Sequence, residues 1–447
     1  MQEDYVEKAK NNAANIIEKT IRILLKHPLC NHCLGRLFAR LGKGLGNDER
    51  GYALKTLVSM LIPTEEGDDK LRDFVKKLAE NAGDPLTRLY NVVYGEDVEP
   101  KKCSLCNGKI SRKYFEELAD NVIEILKEYN ATSFLIGVTI DREMMLKELE
   151  LVREIGIDYS ESIKNEIKRE VGKIVKEKTG IEPDFTRPDI VAIIDYEKNT
   201  IHPIVNPILL TGRYWKKARN ISHTIWSVEG AKKYPYSIEE FLDHTLNPLY
   251  DSDKAILHAS GREDVDARML GTGRPMVVEI VNPRFRLVDT NLLNELLKSV
   301  VIDAEVYGEA TRETIRLLKT DLSKKEKIYK ALVVTDQPVS DDKLRELEEF
   351  FRNRTIRQLT PLRILRRKKE RERIRKVYEV VVNKISDRVF EALIKSDGGL
   401  YIKELISGDQ GRTDPSFTSV LGVQAYCIEL DVIGVEVYLP RIQKPLN

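Results

Sequence analysis

The stretch Gly261-Arg262-Glu263-Asp264-Val265-Asp266-Ala267-Arg268, continuing as Met269-Leu270-Gly271-Thr272-Gly273-Arg274-Pro275, is the most informative part of this chain. It gathers carboxylates and arginines around one turn and follows them with two glycines. A cation within a few ångströms keeps an aspartate ionised. An ionised aspartate in a pocket can act as a nucleophile or a base. The alternative interpretation is a surface turn held by salt bridges, which is the more frequent role of charged loops.

Length and composition predict two or three domains with an ordinary hydrophobic core. The chain has 447 residues, of which 42% are hydrophobic. Lys and Arg number 73 against 72 Asp and Glu, so bulk charge gives no argument for a nucleic-acid partner. The sequence contains no apolar run of membrane-spanning length and its first residues lack the pattern of a secretory signal. We therefore expect a cytoplasmic protein with no membrane association.

Hydrophobic periodicity predicts a helical first part and, from about residue 130, an α/β texture of helices and strands. The fold class that we expect for the whole chain is α+β. The predicted helices cover residues 3–26, 50–62, 70–81, 114–129, 158–179, 288–299 and 340–353. The predicted strands cover residues 133–138, 189–196, 201–205, 276–281, 330–335, 376–382 and 427–438. We place the main boundary near residue 208, which gives two domains, 1–208 and 209–447.

Two Cys-x-x-Cys pairs predict a structural zinc site formed by Cys30, Cys33, Cys103 and Cys106. Two such pairs supply the four thiolates of a tetrahedral site, and a closed site of this kind leaves no position for zinc chemistry. The gap between the pairs is longer than in compact zinc ribbons, but closing a long loop costs little extra entropy. The alternatives are four unrelated buried cysteines, or a site in which a histidine replaces a sulfur. The nearby candidates for that replacement are His27 and His32.

The segment 361–376 concentrates positive charge in a chain of balanced composition, since nine of its sixteen residues are Arg or Lys. Such a concentration suits a nucleic-acid phosphate backbone, and its leading arginines are Arg363, Arg366 and Arg367. A solvated helix face is the alternative. A smaller cluster at 212–220 mixes aromatic and basic residues, and it could stack bases or begin a helix.

Three motifs, in this chain order, resemble those of the pseudouridine synthases. Gly261–Val265 resembles the aspartate loop, which matches Asp264 to the catalytic aspartate and leaves Asp266 as second choice. Lys327–Val333 resembles the strand whose tyrosine, here Tyr329, lines the uracil pocket. Gly399–Ile406 resembles the motif that supplies a cation beside the aspartate. The cation here is Lys403, which lacks the two-pronged geometry of the arginine found in many members.

The resemblance implies a role for each of these side chains. Asp264 attacks the sugar or removes a ribose proton, and Lys403 and Arg262 keep it ionised and aimed. Tyr329 stacks on the base. Tyr401 is a further substrate-binding candidate.

The match is closer to one family, the archaeal and eukaryotic tRNA pseudouridine synthases of the TΨC arm, the tenth family of these enzymes. It is carried by the cysteine pairs and by the segments 212–214, 261–275, 360–363 and 408–415. It implies a zinc-binding, THUMP-like RNA-binding domain over 1–208. It also implies a pseudouridine synthase catalytic domain over 209–447, built on a mixed, mainly antiparallel central sheet.

The implied substrate is tRNA, whose uridines 54 and 55 would be isomerised to pseudouridine. Because the isomerisation involves no redox or phosphoryl step, we expect no organic cofactor, and no obligatory protein partner is indicated. The alternative function is a non-catalytic, zinc-containing RNA-binding protein or tRNA chaperone. Zinc-dependent deamination is disfavoured, since no His-x-Glu precedes a Pro-Cys-x-x-Cys motif.

Overall fold

Residues 2–63, 68–156, 160–320, 325–366 and 369–435 are described in the computed structural model. They divide into two units, Met1–Asn206 and Pro207–Asn447. No helix among these residues is long and apolar enough to cross a membrane.

The N-terminal unit begins with helices: α1 (Gln2–Lys26), α2 (Asn31–Leu37), α3 (Asn47–Leu61), α4 (Asp69–Ala82), α5 (Leu86–Tyr94) and α6 (Arg112–Glu128). Side chains that accept hydrogen bonds from the first backbone N–H groups fix several of their starts. Ser111 caps α6 in this way, through the N–H of Tyr114. Ile23 and Leu24 of α1 are fully buried and join the core of the unit.

A small sheet follows, with the elements β1 (Ser133–Thr139), α7 (Arg142–Ile155), α8 (Ile163–Thr179), β2 (Glu182–Pro183), β3 (Ile190–Asp195) and β4 (Thr200–Val205). Within the described residues the sheet has four strands in the order β2-β1-β3-β4. Strand β1 is parallel to β2 and β3, whereas β4 is antiparallel to β3. The helix predicted over 158–179 instead begins at Ile163, because Ser162 caps it, and α7 was not predicted.

The C-terminal unit alternates strands and helices. Its elements are β5 (Ile208–Lys216), β6 (Ser227–Val228), β7 (Ala231–Lys232), α9 (Ile238–Tyr250), β8 (Lys254–Ala259), β9 (Arg268–Val281), α10 (Thr290–Leu296), β10 (Ile302–Glu309), α11 (Arg312–Thr320), β11 (Lys327–Thr335), α12 (Asp341–Phe351), β12 (Arg354–Leu359), β13 (Glu372–Ser386), β14 (Val389–Ser396), α13 (Ile402–Ser407), β15 (Thr413–Asp414), α14 (Phe417–Leu421) and β16 (Ala425–Val435).

One large sheet organises this unit. Its described strands number ten, in the order β10-β5-β9-β16-β11-β14-β13-β12-β15, with β8 also paired to β9. These pairs are antiparallel except β9 with β16, which run parallel and place Arg268 opposite Asp431. The sheet is therefore mixed and mainly antiparallel, as expected. The parallel pair lies where β9 leaves the loop that carries Asp264.

Sequence periodicity missed six strands of this sheet: β5, β8, β10, β12, β14 and the two-residue β15. In β5 the apolar run Ile208–Leu210 is followed by Gly212 and Arg213, which obscures the alternation. The first five residues of the strand are all buried, and buried and partly buried residues alternate only from Gly212 to Lys216. The helical alternative for 361–376 is wrong, because its described residues form a 3-10 turn, Leu362–Ile364, and then enter β13. The end of the strand predicted over 427–438 lies outside the described residues.

Candidate active site and cysteine cluster

The acidic loop at 260–267 connects two neighbouring antiparallel strands, β8 and β9. Gly261 has a φ of 83° in this loop, a value that glycine adopts without strain. The N–H of Ala267 donates to the carbonyl of Asp264 at 3.0 Å and closes a turn. Because Ala267 is 1% exposed, the end of the loop is anchored in the core while Asp264 remains partly exposed.

Asp264 faces two cations that come from distant parts of the chain. Nη2 of Arg363 lies 2.9 Å from Oδ2 of Asp264, and Nζ of Lys403 lies 3.9 Å from the same oxygen. Lys403 contacts Asp266 more closely, at 2.5 Å. Arg363 also donates through Nε to the buried Glu404 at 2.6 Å. The 3-10 turn, α13 and the acidic loop thus meet at one carboxylate.

These contacts favour the charged forms of Arg363 and Asp266. Burial disfavours the charged guanidinium of Arg363, but its hydrogen bond to Glu404 and the charge of Asp264 together raise its pKa above the ordinary value. Burial likewise favours the neutral form of Asp266, but the contact with Lys403 holds the pKa of Asp266 below its usual range. The site therefore places the cations Arg363 and Lys403 beside Asp264, together with the ionised carboxylate of Asp266.

A buried ionic network lies in the same loop. Glu263 is paired with Arg274 through Nε at 2.9 Å, and the hydroxyl of Tyr214 donates to the same carboxylate at 3.0 Å. Burial acts to raise the pKa of Glu263, but the charges of Arg274 and Lys216 outweigh it and lower the pKa. Arg274 also donates to the carbonyl of Ser260 at 3.0 Å. The network restrains the backbone just before Asp264.

Sequence reasoning missed the supporting residues Lys216, Glu263 and Glu404, and it did not place Arg363 beside Asp264. Lys216 lies in the aromatic and basic cluster at 212–220, for which the sequence predicts either base stacking or the start of a helix. The structure makes that segment the end of β5, with Lys216 buried on the inner face. An alternating reading of 208–216 would have found this inward lysine.

Two glycines after the loop allow a tryptophan to lie against β9. Gly273 has a φ of 68°, and a Cβ placed on it would lie 2.6 Å from Trp215. Nε1 of Trp215 donates to the carbonyl of Gly271 at 2.8 Å. The aromatic part of the 212–220 cluster is thus engaged with the strand.

Of the two other predicted substrate-binding residues, Tyr329 lies on a strand as expected, and Tyr401 directly precedes α13. Tyr329, in β11, is buried, and burial raises its pKa to about 12; the charge of Arg274 acts to lower this pKa and that of Asp264 to raise it. Tyr401 is half-buried, with the guanidinium of Arg373 5.0 Å from its ring centroid.

The remaining predicted arginines differ in their surroundings. Arg262 is exposed and forms no ion pair with Asp264 among the described residues, so the structure brings Lys403 but not Arg262 to the carboxylate. Arg366 is exposed. Arg367 lies outside the described residues.

The four cysteines come together in the N-terminal unit. The Sγ atoms of Cys30, Cys33, Cys103 and Cys106 all lie within 4.8 Å of one another. Those of Cys30 and Cys106 are 3.6 Å apart, close to the spacing of about 3.8 Å that a tetrahedral site with Zn–S near 2.3 Å requires. This buried cluster can bind a metal ion.

The neighbouring groups are consistent with a sulfur-only site. The backbone N–H of Cys33 donates to Sγ of Cys30 at 3.4 Å. His27 and His32, the candidate replacement ligands, instead contact carboxylates, those of Glu154 at 2.9 Å and Glu166 at 2.8 Å.

Comparison with known proteins gives matches over almost the whole chain. The family described as "Pus10, C-terminal" matches residues 209–436, and "Pus10 THUMP domain, archaeal" matches residues 118–195. The chain is 46% identical over 426 residues to the tRNA pseudouridine synthase Pus10 of Thermosphaera aggregans, covering 94% of this chain and 97% of that protein. It is 41% identical over 435 residues to the Ignisphaera aggregans protein of the same name, covering 95% and 100%.

A solved Cbf5-Nop10-Gar1 complex aligns with 42% of this chain and 42% of the matched chain. The identity is 22% and the TM-score is 0.27, which is too low to support a structural argument.

Proposed function

Because this chain belongs to the Pus10 family of tRNA pseudouridine synthases, we propose that it isomerises uridines 54 and 55 of the TΨC loop and that Asp264 is the catalytic residue. The observation that carries the proposal is the position of Asp264 between the guanidinium of Arg363 and the ammonium of Lys403. Two cations on one side of a partly exposed carboxylate limit its orientations.

The reaction needs a carboxylate and a shaped pocket. The C1′–N1 bond of uridine breaks, the uracil turns, and C5 bonds to C1′, while C5 loses its hydrogen and N1 gains one. An ionised Asp264 can attack C1′ or remove a ribose proton, and both routes start from the same charge state. The target uridine must first leave its stack, which costs a few kcal/mol.

We assign the following roles to the other side chains. Arg363 and Lys403 orient Asp264, so Arg363 serves the catalytic carboxylate rather than the RNA backbone first expected for it. Tyr329 stacks on the uracil, and Tyr401 and Arg262 contact the substrate at its edge. Arg366 and Arg367 contact tRNA phosphates, which position the RNA without reading its sequence.

The cysteine cluster holds a structural zinc ion in this proposal. Four thiolates are a donor set that zinc prefers, and with all positions filled the ion contributes folding stability. The protein then acts on tRNA in the cytoplasm without an obligatory partner. The alternative of a non-catalytic RNA-binding protein is set aside, because the family to which the chain belongs is one of enzymes.

Tritium release tests the assignment. Purified protein is incubated alone with tRNA whose uridines carry tritium at C5, and we expect release from both positions. A transcript with cytidine at position 54 should release tritium only from position 55, and a transcript with cytidine at position 55 only from position 54. Isomerisation confined to other uridines would contradict the proposed positions.

The catalytic residue is tested separately. Asp264→Asn should abolish tritium release while tRNA affinity and melting temperature stay close to those of the unaltered protein. Asp266→Asn is the matched control and should retain activity. Turnover near the original rate in Asp264→Asn would instead assign the reaction to Asp266.

A further inference from the structure

A cleft of about 470 Å³ opens in the N-terminal unit, within that unit's own residues. One wall is the turn between α2 and α3 with the start of α3, and the other is Ser160, Glu161 and the first half of α8. Its lining includes five basic side chains, Arg40, Lys43, Arg50, Arg169 and Lys173, against one carboxylate, that of Glu161. The cleft is thus strongly positive in a chain whose total charge is balanced.

Arg50 forms a rigid part of the lining. It is 6% exposed, and its guanidinium donates to the carbonyls of Leu41 at 2.7 Å and Leu45 at 2.9 Å and to Oδ1 of Asn47 at 2.6 Å. One buried cation therefore holds the turn that forms the first wall. The guanidinium of Arg50 is therefore fixed by the fold, unlike that of a solvated surface arginine.

Arg169 is fixed from the opposite wall. Its Nε and Nη2 contact the two oxygens of Glu161 at 3.0 and 2.9 Å, and the same carboxylate accepts from Asn47 at 2.7 Å. Glu161 is therefore already engaged by groups of the cleft. Burial and then the charge of Arg169 lower the pKa of Arg50, while the charges of Glu161, Glu166 and Glu49 act to raise it.

The rim adds cations that are available to a ligand. Arg40 and Lys43 are exposed and form no ion pair among the described residues. Lys173 is also exposed, and its Nζ lies 3.6 Å from Oε1 of Glu170. Glu170 is not among the lining residues, and its carboxylate also pairs with Arg169. An anion bound between the walls would meet cations from both.

We propose that this cleft binds a backbone phosphate of the tRNA substrate, a role that rests on the proposed function. Arginine presents donors in a planar fork that matches phosphate oxygens, and flexible lysines at a rim adapt to a polyanion. A phosphate contact fixes the register of the RNA and carries no base information. Seven of the twelve lining residues come from the segment that follows Cys33, so the cysteine-bearing part of the chain takes part directly in RNA binding.

Charge reversal on the two rims tests the site. Lys43→Glu combined with Lys173→Glu should weaken tRNA binding by roughly tenfold or more at low salt and lower the slope of log K against log salt by about one or more. The matched control reverses two exposed lysines of α4, Lys76→Glu with Lys77→Glu, which lie outside the cleft lining. Binding is measured by fluorescence anisotropy with the full-length protein over a salt series.

Two further arms separate the phosphate site from the catalytic pocket. The cleft variant should lose the same factor of affinity for tRNA with cytidine at 54 and 55, because a phosphate contact does not depend on the target bases. Lys43→Arg with Lys173→Arg should keep the original affinity and salt slope. Tritium release at saturating tRNA should persist in the cleft variant, so a failure of the phosphate site and a failure of the proposed activity give different results.

Equal losses in the cleft and control variants would overturn the proposal, since they would reflect only the change in total charge. Unchanged tRNA affinity in the cleft variant would overturn it as well. So would tight binding of free inorganic phosphate that is lost in the cleft variant while tRNA affinity stays the same, because the cleft would then serve a small anion.

Discussion

Nζ of Lys216 lies 3.0 Å from the backbone carbonyl oxygen of Asp264 and donates to it. The same ammonium donates to the carbonyls of Val265 and Ile221, each at 3.1 Å. Lys216 is 1% exposed, so a buried cation at the end of β5 holds the backbone from which the Asp264 side chain projects. Burial lowers the pKa of Lys216, while the charge of Glu263, 3.9 Å away, opposes that shift.

Replacing this lysine should damage both the fold and the reaction. Lys216→Met removes three hydrogen bonds to backbone carbonyls, one of them fully buried, and we expect a loss of about 2–4 kcal/mol in the free energy of unfolding by urea titration. We also expect kcat to fall more than tRNA affinity, since the loop and not the RNA surface is released. Lys217→Met is the control because Lys217 is exposed. Equal stability and kcat in the two variants would show that Lys216 does not support the loop.

Arg363 should act on turnover and Arg366 on RNA binding. Arg363→Met removes the contact with Asp264 and should lower kcat by about 10–100-fold with little change in affinity. Arg363→Lys keeps the charge and should recover part of the loss. Arg366→Met, at an exposed position of the same segment, should lower the salt slope of tRNA binding by about 0.7–0.9 and leave kcat at saturating tRNA intact. The reverse pattern would return Arg363 to the RNA-binding residues.

Metal analysis should find one zinc ion per chain. Cys103→Ser should release it and lower the stability of the N-terminal unit by about 2 kcal/mol or more, because metal binding contributes directly to folding. Cys427→Ser is the matched control, since Cys427 lies in β16 of the other unit. A zinc-free preparation of the unaltered protein with the same melting curve would contradict the structural role.

His223 should make the protein sensitive to mild acid. Burial lowers its pKa to about 4, and its Nε2 has no hydrogen-bond partner among the residues that the structure describes. In the unfolded chain the imidazole of His223 binds its proton with the ordinary pKa of about 6.5. The neutral His223 therefore contributes its full stabilisation of the folded state above a pH of about 6.5, and this contribution is lost as the pH falls towards about 4. As the pH falls across this window, we expect the free energy of unfolding of the His223→Gln variant to decrease by about 2–3 kcal/mol less than that of the unaltered protein. Urea titrations at several pH values measure this, and parallel pH curves would exclude His223 as the cause.

Local patterns predicted a large part of the fold. The strand of Tyr329 alternates between buried and partly buried residues along its whole length, and such alternation is visible in sequence. The strand of Lys216 was missed, because a glycine and basic residues interrupt its apolar pattern although the lysine itself points inward. A buried lysine is rare, and only the carbonyls that surround it explain its position.

The sequence by itself determined the candidate catalytic aspartate and the two cysteine pairs, because each is encoded in a short run of residues, whereas the mainly antiparallel sheet was expected only from the family resemblance. Only the tertiary structure decided which cation meets Asp264. Arg363 and Lys403 are both distant from it in the chain, and the pairing of strands in the sheet brings the guanidinium to 2.9 Å and the ammonium to 3.9 Å. The register of a sheet and the packing of its connections depend on the whole core, so no local pattern specifies such a distance.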